Sequence, residues 1–254
     1  MSTRWPARGL PPRSSTFDQT VGFVPARDGV RIAYAESGRG MPLIKTANWL
    51  THLEYDWRTP VWRHWLEFLS AQGRLVRYDE RGNGLSDRDV DLKFESFVDD
   101  LEAVVDAVGI ERFPLLGISQ GCAISIAYTI RHPERVSCLV LYGGYACGWA
   151  VWGDEEEIRR RMAMVELTRI GWGRDNPAFR QMFTTIFVPS AKPMQAAWFN
   201  ELARVTTSPE MAAELLLTFS RIDVRPLLSR IRVPTLVLHA RNDAAIPLEC
   251  GRQM

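Results

Sequence analysis

The 254 residues are 46% hydrophobic and 24% charged, with a formal net charge of +1. That is the balance of an ordinary globular protein, either one large domain or one domain carrying an insertion. Lys and Arg number 31 against 30 Asp and Glu, so there is no basic field for nucleic acid or an anionic membrane surface. No apolar run approaches the ~18–20 residues that span a bilayer. Residues 1–15 lack the apolar core of a secretory signal, and residues 1–19 are expected to be a flexible lead-in. Cys122, Cys138, Cys147 and Cys250 show no metal-like pairing, and three lie in apolar surroundings. This predicts reduced thiols, a cytoplasmic protein, and neither metal nor other cofactor.

In chain order, Val21–Pro25 and Val30–Ala35 read as a β-hairpin turned at Asp28-Gly29. A short strand follows at Pro42–Thr46. Val61–Ala71 places Val61, Trp62, Trp65, Leu66 and Leu69 on one helical face. Arg74–Tyr78 is a strand, and Phe94–Val108 an amphipathic helix stopped by Gly109. Phe113–Leu116 is a strand leading into a helix that runs to about Arg131. Val136–Tyr142 and Thr235–His239 are further apolar strands. Strands alternating with helices indicate parallel βαβ construction and an α/β fold. Residues 147–221 break the alternation with helical stretches at Glu155–Ile170, Pro177–Phe187, Met194–Val205 and Pro209–Phe219, rich in Trp, Phe and Met. They read as a helical cap inserted into a core made of residues 20–146 and 222–254. Most of their apolar residues are expected to pack on the core, and a few to roof a pocket.

The corner after Phe113–Leu116 carries Gly117-x-Ser119-x-Gly121, with the small residues Cys122, Ala123 and Ala127 behind it. This is the nucleophile-elbow pattern, in which a strained turn exposes a serine hydroxyl beside the free N–H groups of a helix start. The glycines let the backbone bend and the helix approach its neighbours.

The chain resembles the α/β-hydrolase superfamily from about Thr20 onward. The resemblance rests on this elbow, the early hairpin, Tyr78-Asp-x-Arg-Gly-x-Gly-x-Ser86, Arg131-His-Pro-Glu-Arg-Val136 and Val233-Pro-Thr-Leu-Val-Leu-His-Ala-Arg-Asn-Asp243. The run from Asn48 to Trp57 with Tyr78–Gly82 is similar to a narrower bacterial group, whose hydrolase domains stand alone or are fused to transcription-regulator or adenylyl-cyclase modules. The resemblance implies a mostly parallel central sheet flanked by helices, with the helical cap inserted. It implies Ser119 as nucleophile, Asp243 as the acid that orients a histidine base, and backbone N–H groups of Gln120 and Trp49 as the oxyanion hole. Where the superfamily usually has His-Gly-x, this chain has Ala47-Asn48-Trp49, and Asn48 tolerates a positive φ better than most residues. In the resemblance Asp79, Arg81 and Asp87 are scaffold. Asp154–Glu157 reads as a solvated helix start.

The superfamily's chain order is Ser, acid, His, and no histidine follows Asp243 in this sequence. The last strand, the histidine loop and the final helix are therefore expected to be missing. Thr235–Ala240 would then form an apolar sheet edge that could pair with a second copy of the chain. Among the four histidines, His132 and His239 read as structural, His64 belongs to a helix, and His52 is the one candidate substitute base. The implied activity is hydrolysis of a small, largely apolar ester, lactone or related acyl substrate. A non-catalytic ligand-binding or signalling module and an inactive truncated fragment stay open as alternatives.

Overall fold

The computed structural model describes residues 19–254; the lead-in expected over residues 1–19 lies outside them except for Gln19, which already belongs to the first strand. In chain order the elements are β1 (Gln19–Pro25), β2 (Arg31–Ser37), β3 (Pro42–Lys45), α1 (Leu53–Asp56), α2 (Arg63–Gln72), β4 (Arg74–Tyr78) and α3 (Phe94–Ala107). There follow β5 (Phe113–Ile118), α4 (Gly121–Arg131), β6 (Val136–Tyr142), α5 (Trp149–Trp152), α6 (Glu155–Gly171), α7 (Ala178–Phe187), α8 (Pro193–Thr206) and α9 (Pro209–Ser220). The chain closes with α10 (Arg225–Leu228), β7 (Thr235–Leu238) and α11 (Leu248–Arg252).

The strands form one seven-stranded sheet in the order β1-β2-β4-β3-β5-β6-β7. β1, β2 and β4 pair antiparallel in succession, and every pair from β4 to β7 is parallel. The β1–β2 turn is closed by Ala26 N–H donating to Val30 C=O at 2.7 Å, with Gly29 at φ +86°. α4 lies deep in the molecule: residues 121–126, 128 and 129 are all buried, so its lack of an amphipathic pattern follows from cover on nearly every side. α3 packs against α4, buries Phe97, Val98, Leu101, Val104 and Val105, and ends where Gly109 turns to φ +64°.

Six helices, α5 to α10, stand between β6 and β7, and α5 to α9 make up the inserted segment. Their starts carry local signals: Asp154 accepts from Glu157 N–H at 2.8 Å, and Ser208 accepts from Met211 N–H at 3.1 Å with Pro209 in the first turn. Glu157 is less solvated than the sequence suggests, since Arg160 and Arg161 both bind its carboxylate. Trp172, Phe183, Phe199, Leu202, Ala203 and Ala212 make a cluster that also contains Leu50, with Trp49, Val61 and Trp62 packed against it. The helical segment and the core thus share one apolar seam.

The loop after β4 is held by charged side chains, of which Asp79, Arg81 and Asp100 are buried. Asp79 Oδ2 accepts from the N–H groups of Leu53 (3.1 Å) and Leu85 (2.8 Å). Arg81 forks onto Asp100, at 2.6 and 2.8 Å, and reaches Asp28 at 2.7 Å. Asp87 receives Arg31 N–H at 2.9 Å. β7 is one of the two edge strands of the sheet, and Leu236 and Leu238 on it are 52% and 44% exposed. All four cysteines are free thiols. Among the described residues no helix is long and apolar enough to cross a membrane.

Candidate active site

Ser119 sits between β5 and α4 with φ +56°, a left-handed conformation that is strained for a serine. Its N–H donates to Tyr142 C=O at 3.1 Å, which anchors the corner to β6, and its C=O accepts from Cys122 N–H at 3.0 Å. α4 opens at Gly121 with Gln120 as its N-cap. Close approach explains both flanking glycines. A Cβ at Gly117 would lie 2.8 Å from Cys122 Cα, Gly121 O and Ser125 Oγ, and one at Gly121 would lie 2.6 Å from Ala47 O.

Ser119 opens onto a cavity of about 330 Å³. Asn48, Trp49 and Leu50 form one wall, Asp243, Ala245 and Ile246 another, and Phe187, Val188 and Phe199 reach in from α7, its C-terminal end and α8. Trp62, Trp65 and Tyr142 complete an aromatic lining. Asp243 follows β7 on a tight loop in which its Oδ1 accepts from the N–H groups of Ala245 (2.8 Å) and Ile246 (2.9 Å). Its second oxygen faces Gly143, where an added Cβ would stand 3.7 Å away. Three of the four residues expected at the site, Ser119, Trp49 and Asp243, therefore border one cavity.

The fourth, Gln120, is buried beside Ser119, and its side-chain amide donates to Glu80 Oε1 at 3.3 Å. Among the described residues the backbone N–H groups of Trp49 and Gln120 have no acceptor, and neither does Ser119 Oγ have a partner. The tolerance of Asn48 for a positive φ is not used; Leu50 takes the positive φ, at +64°. Asn48 acts through its side chain instead, accepting from Lys45 Nζ at 2.5 Å and donating to Trp49 C=O at 3.2 Å.

The histidines do not reach the cavity. His52 caps α1, its Nδ1 accepting from Tyr55 N–H at 3.3 Å, so the candidate substitute base is occupied structurally. His64 is exposed on α2. His132 ends α4 with Nε2 3.2 Å from Glu102. His239 comes within 4.0 Å of Asp243, but its Nε2 is bonded to Ile246 C=O at 2.9 Å and its ring is wedged against Gly251 of α11.

Behind the Asn48 wall lies a buried charged layer that sequence reasoning missed. Lys45, Asp56, Arg77, Asp79 and Glu80 are all buried. Burial pushes Asp79 up to about 7 and Glu80 up to about 8, and brings Lys45 down to about 8. The only trace of Lys45 in the sequence is a cation ending an otherwise apolar strand.

A family model described as the alpha/beta hydrolase fold matches residues 55–254. The chain belongs to this family. It is 30% identical over 215 residues to a 2-hydroxy-6-oxo-2,4-heptadienoate hydrolase of Pseudomonas putida, covering 76% of this chain and 70% of the relative. Against a 2-hydroxymuconate semialdehyde hydrolase of a Pseudomonas species the identity is 30% over 246 residues, covering 87% and 77%. Among solved structures, an esterase from Exiguobacterium antarcticum superposes with a TM-score of 0.77 at 25% identity, covering 92% of this α/β-hydrolase chain and 85% of the esterase.

Proposed function

We propose that this α/β-hydrolase carries out acyl transfer at Ser119 on a small, neutral, largely apolar ester, lactone or related substrate. The observation that carries the reading is the strained Ser119 corner opening onto a cavity that Asp243 and the Trp49 corner also border. Ser119 Oγ attacks the acyl carbon. The unpaired N–H groups of Gln120 and Trp49 receive the oxyanion, and Asp243 holds the protonated base. A volume of about 330 Å³ is at the small end for ligand sites. The names of the two Pseudomonas relatives' substrates denote carboxylates. The side chains lining this cavity, by contrast, include no cation among the described residues. That favours uncharged substrates. Helices α5 to α9 serve as the cap, with Phe187, Val188 and Phe199 forming the pocket roof.

None of the four histidines lines the Ser119 cavity, so turnover requires a base from outside the described residues. The same observation favours a second reading, a pocket that binds ligand without turning it over. Hydrolysis of a short-chain 4-nitrophenyl ester by wild type and Ser119→Ala separates the two. Loss of a working nucleophile costs on the order of 10⁴–10⁶ in kcat. A large difference supports the serine hydrolase. Equal, negligible rates from two cooperatively folded proteins overturn turnover by this chain and leave the binding reading.

A further inference from the structure

Lys45 is a buried cation whose position asks for a reason. It ends β3, is 6% exposed, and makes no ion pair within 4 Å to any carboxylate among the described residues. The charges around it act from a distance: Asp56 at the end of α1, Asp79 and Glu80 after β4, and Arg77 on β4. Burying an ammonium without a contacting anion is costly, so the hydrogen bonds it does make carry weight. They are two: Asn48 Oδ1 at 2.5 Å and Thr46 C=O at 3.3 Å.

The bond to Asn48 also settles that side chain's orientation. An ammonium can only donate, so the carboxamide must turn its oxygen to Lys45 and its NH₂ away. The NH₂ then meets Trp49 C=O at 3.2 Å. A short relay results, from Lys45 through the Asn48 carboxamide to the peptide joining Trp49 and Leu50. The next residue, Leu50, is held at φ +64°, a conformation that costs about 1–2 kcal/mol for a residue of this kind. Something must hold the corner in that state, and the relay is bonded directly to it. The Trp49 indole is fixed separately, by Trp172, Phe183 and Phe187 at centroid distances of 5.3–5.6 Å.

We propose that Lys45 is a positioning residue which, through Asn48, locks the Trp49–Leu50 corner so that the Trp49 N–H stays aimed into the cavity beside Ser119. The aim of that N–H at an acyl oxygen rests on the function proposed above; the lock on the corner does not.

Two readouts on the full chain separate these parts. Phenylboronic acid is the probe for the donor, because it forms a tetrahedral adduct on a serine oxygen that places a B–O group where the oxyanion would lie. Amide hydrogen exchange at Trp49, Leu50 and Thr51 is the probe for the lock. Lys45→Met keeps the stem and removes the charge; Asn48→Ala breaks the same relay from its other end and serves if Lys45→Met does not fold. Each variant is expected to speed exchange at these amides at least about tenfold and weaken the boronate by a similar factor, with the double variant no worse than either single one. Unchanged exchange and unchanged boronate affinity in both variants would overturn the proposal, as would fully additive losses. Failure of wild type to bind the boronate would sink the serine reading instead, and exchange would still decide the lock.

Discussion

Replacing Gly121 by alanine tests whether the two N–H donors depend on the contact between α4 and the loop after β3. The new Cβ would sit 2.6 Å from Ala47 O and 3.6 Å from Thr46 Cβ. An ordinary carbon–oxygen contact is about 3.3 Å or more, so the backbones must part by about 0.7 Å. Neither side yields easily: Ala47 and Gly121 are buried, and Thr46 is tied to Ser125 by a 2.7 Å hydroxyl contact. Overpacking of this kind costs about 1–3 kcal/mol, or a fall in Tm of about 3–10 °C for a chain of this size. The functional cost is expected to be larger. Gln120 lies next to Gly121 and Trp49 two residues beyond Ala47, and a misplacement near 1 Å costs about 100-fold. Thermal unfolding and phenylboronate affinity, measured beside Gly109→Ala, read this directly. Gly109, unlike Gly121, has positive φ, at +64°, and an added Cβ there meets nothing within 4 Å, so that control loses some stability and no affinity. A Gly121→Ala protein with wild-type affinity would refute the argument that these two segments jointly place the donors.

Removing the Arg81 side chain, as Arg81→Met, leaves Asp100 buried without its cation and is expected to cost about 3–5 kcal/mol by denaturant unfolding, with Arg81→Met/Asp100→Asn recovering part of the loss. Glu80 has its pKa raised by burial from 4.5 to about 8. The folded state therefore holds this proton more tightly than the unfolded chain, and stability is lost as pH rises from about 4.5 toward 8. The Tm advantage of Glu80→Gln over wild type should accordingly widen between pH 5 and pH 8; a constant difference would contradict the assignment. Trp172→Ala removes a fully buried ring that also donates to Ala203 C=O at 2.9 Å, and should cost about 3–5 kcal/mol. It should also speed hydrogen exchange at Trp49, whose ring it supports.

Much of the scaffold was legible because local and global signals agree. Arg74–Tyr78 and Val136–Tyr142 are strands over the bounds their apolar runs suggest, and the four long helices between β6 and β7 lie within two residues of their predicted ends. The four-residue helices α1, α5 and α10 and the five-residue α11 went unread, since so few residues show no 3.6-residue period. At the site, the Gly-x-Ser-x-Gly pattern marked Ser119 because its chemistry is local. The part of Asn48 was not legible because it is set by a lysine and a carbonyl, not by its own backbone angles. Trp62 and Trp65 read as a helix's packing face, and they do pack, yet they also line the cavity. Lys45 and Glu80 look like ordinary charges in the chain. Only tertiary burial makes them expensive.

Trp49 belongs to two layers at once. Its peptide borders the Ser119 corner, while its indole is gripped by Trp172, Phe183 and Phe187 of the inserted helices. On the proposed reading of Trp49 as a donor, a bulky ligand that lifted α7 would loosen that grip, and accommodation of size would be linked to the aim of the N–H in both directions. A molecule that engaged the donor well would draw the helices down on itself, whereas one too large to be covered would meet a poorly aimed donor. Selection by size would then show as slower chemistry as well as weaker binding, without any wall that simply excludes the larger molecule.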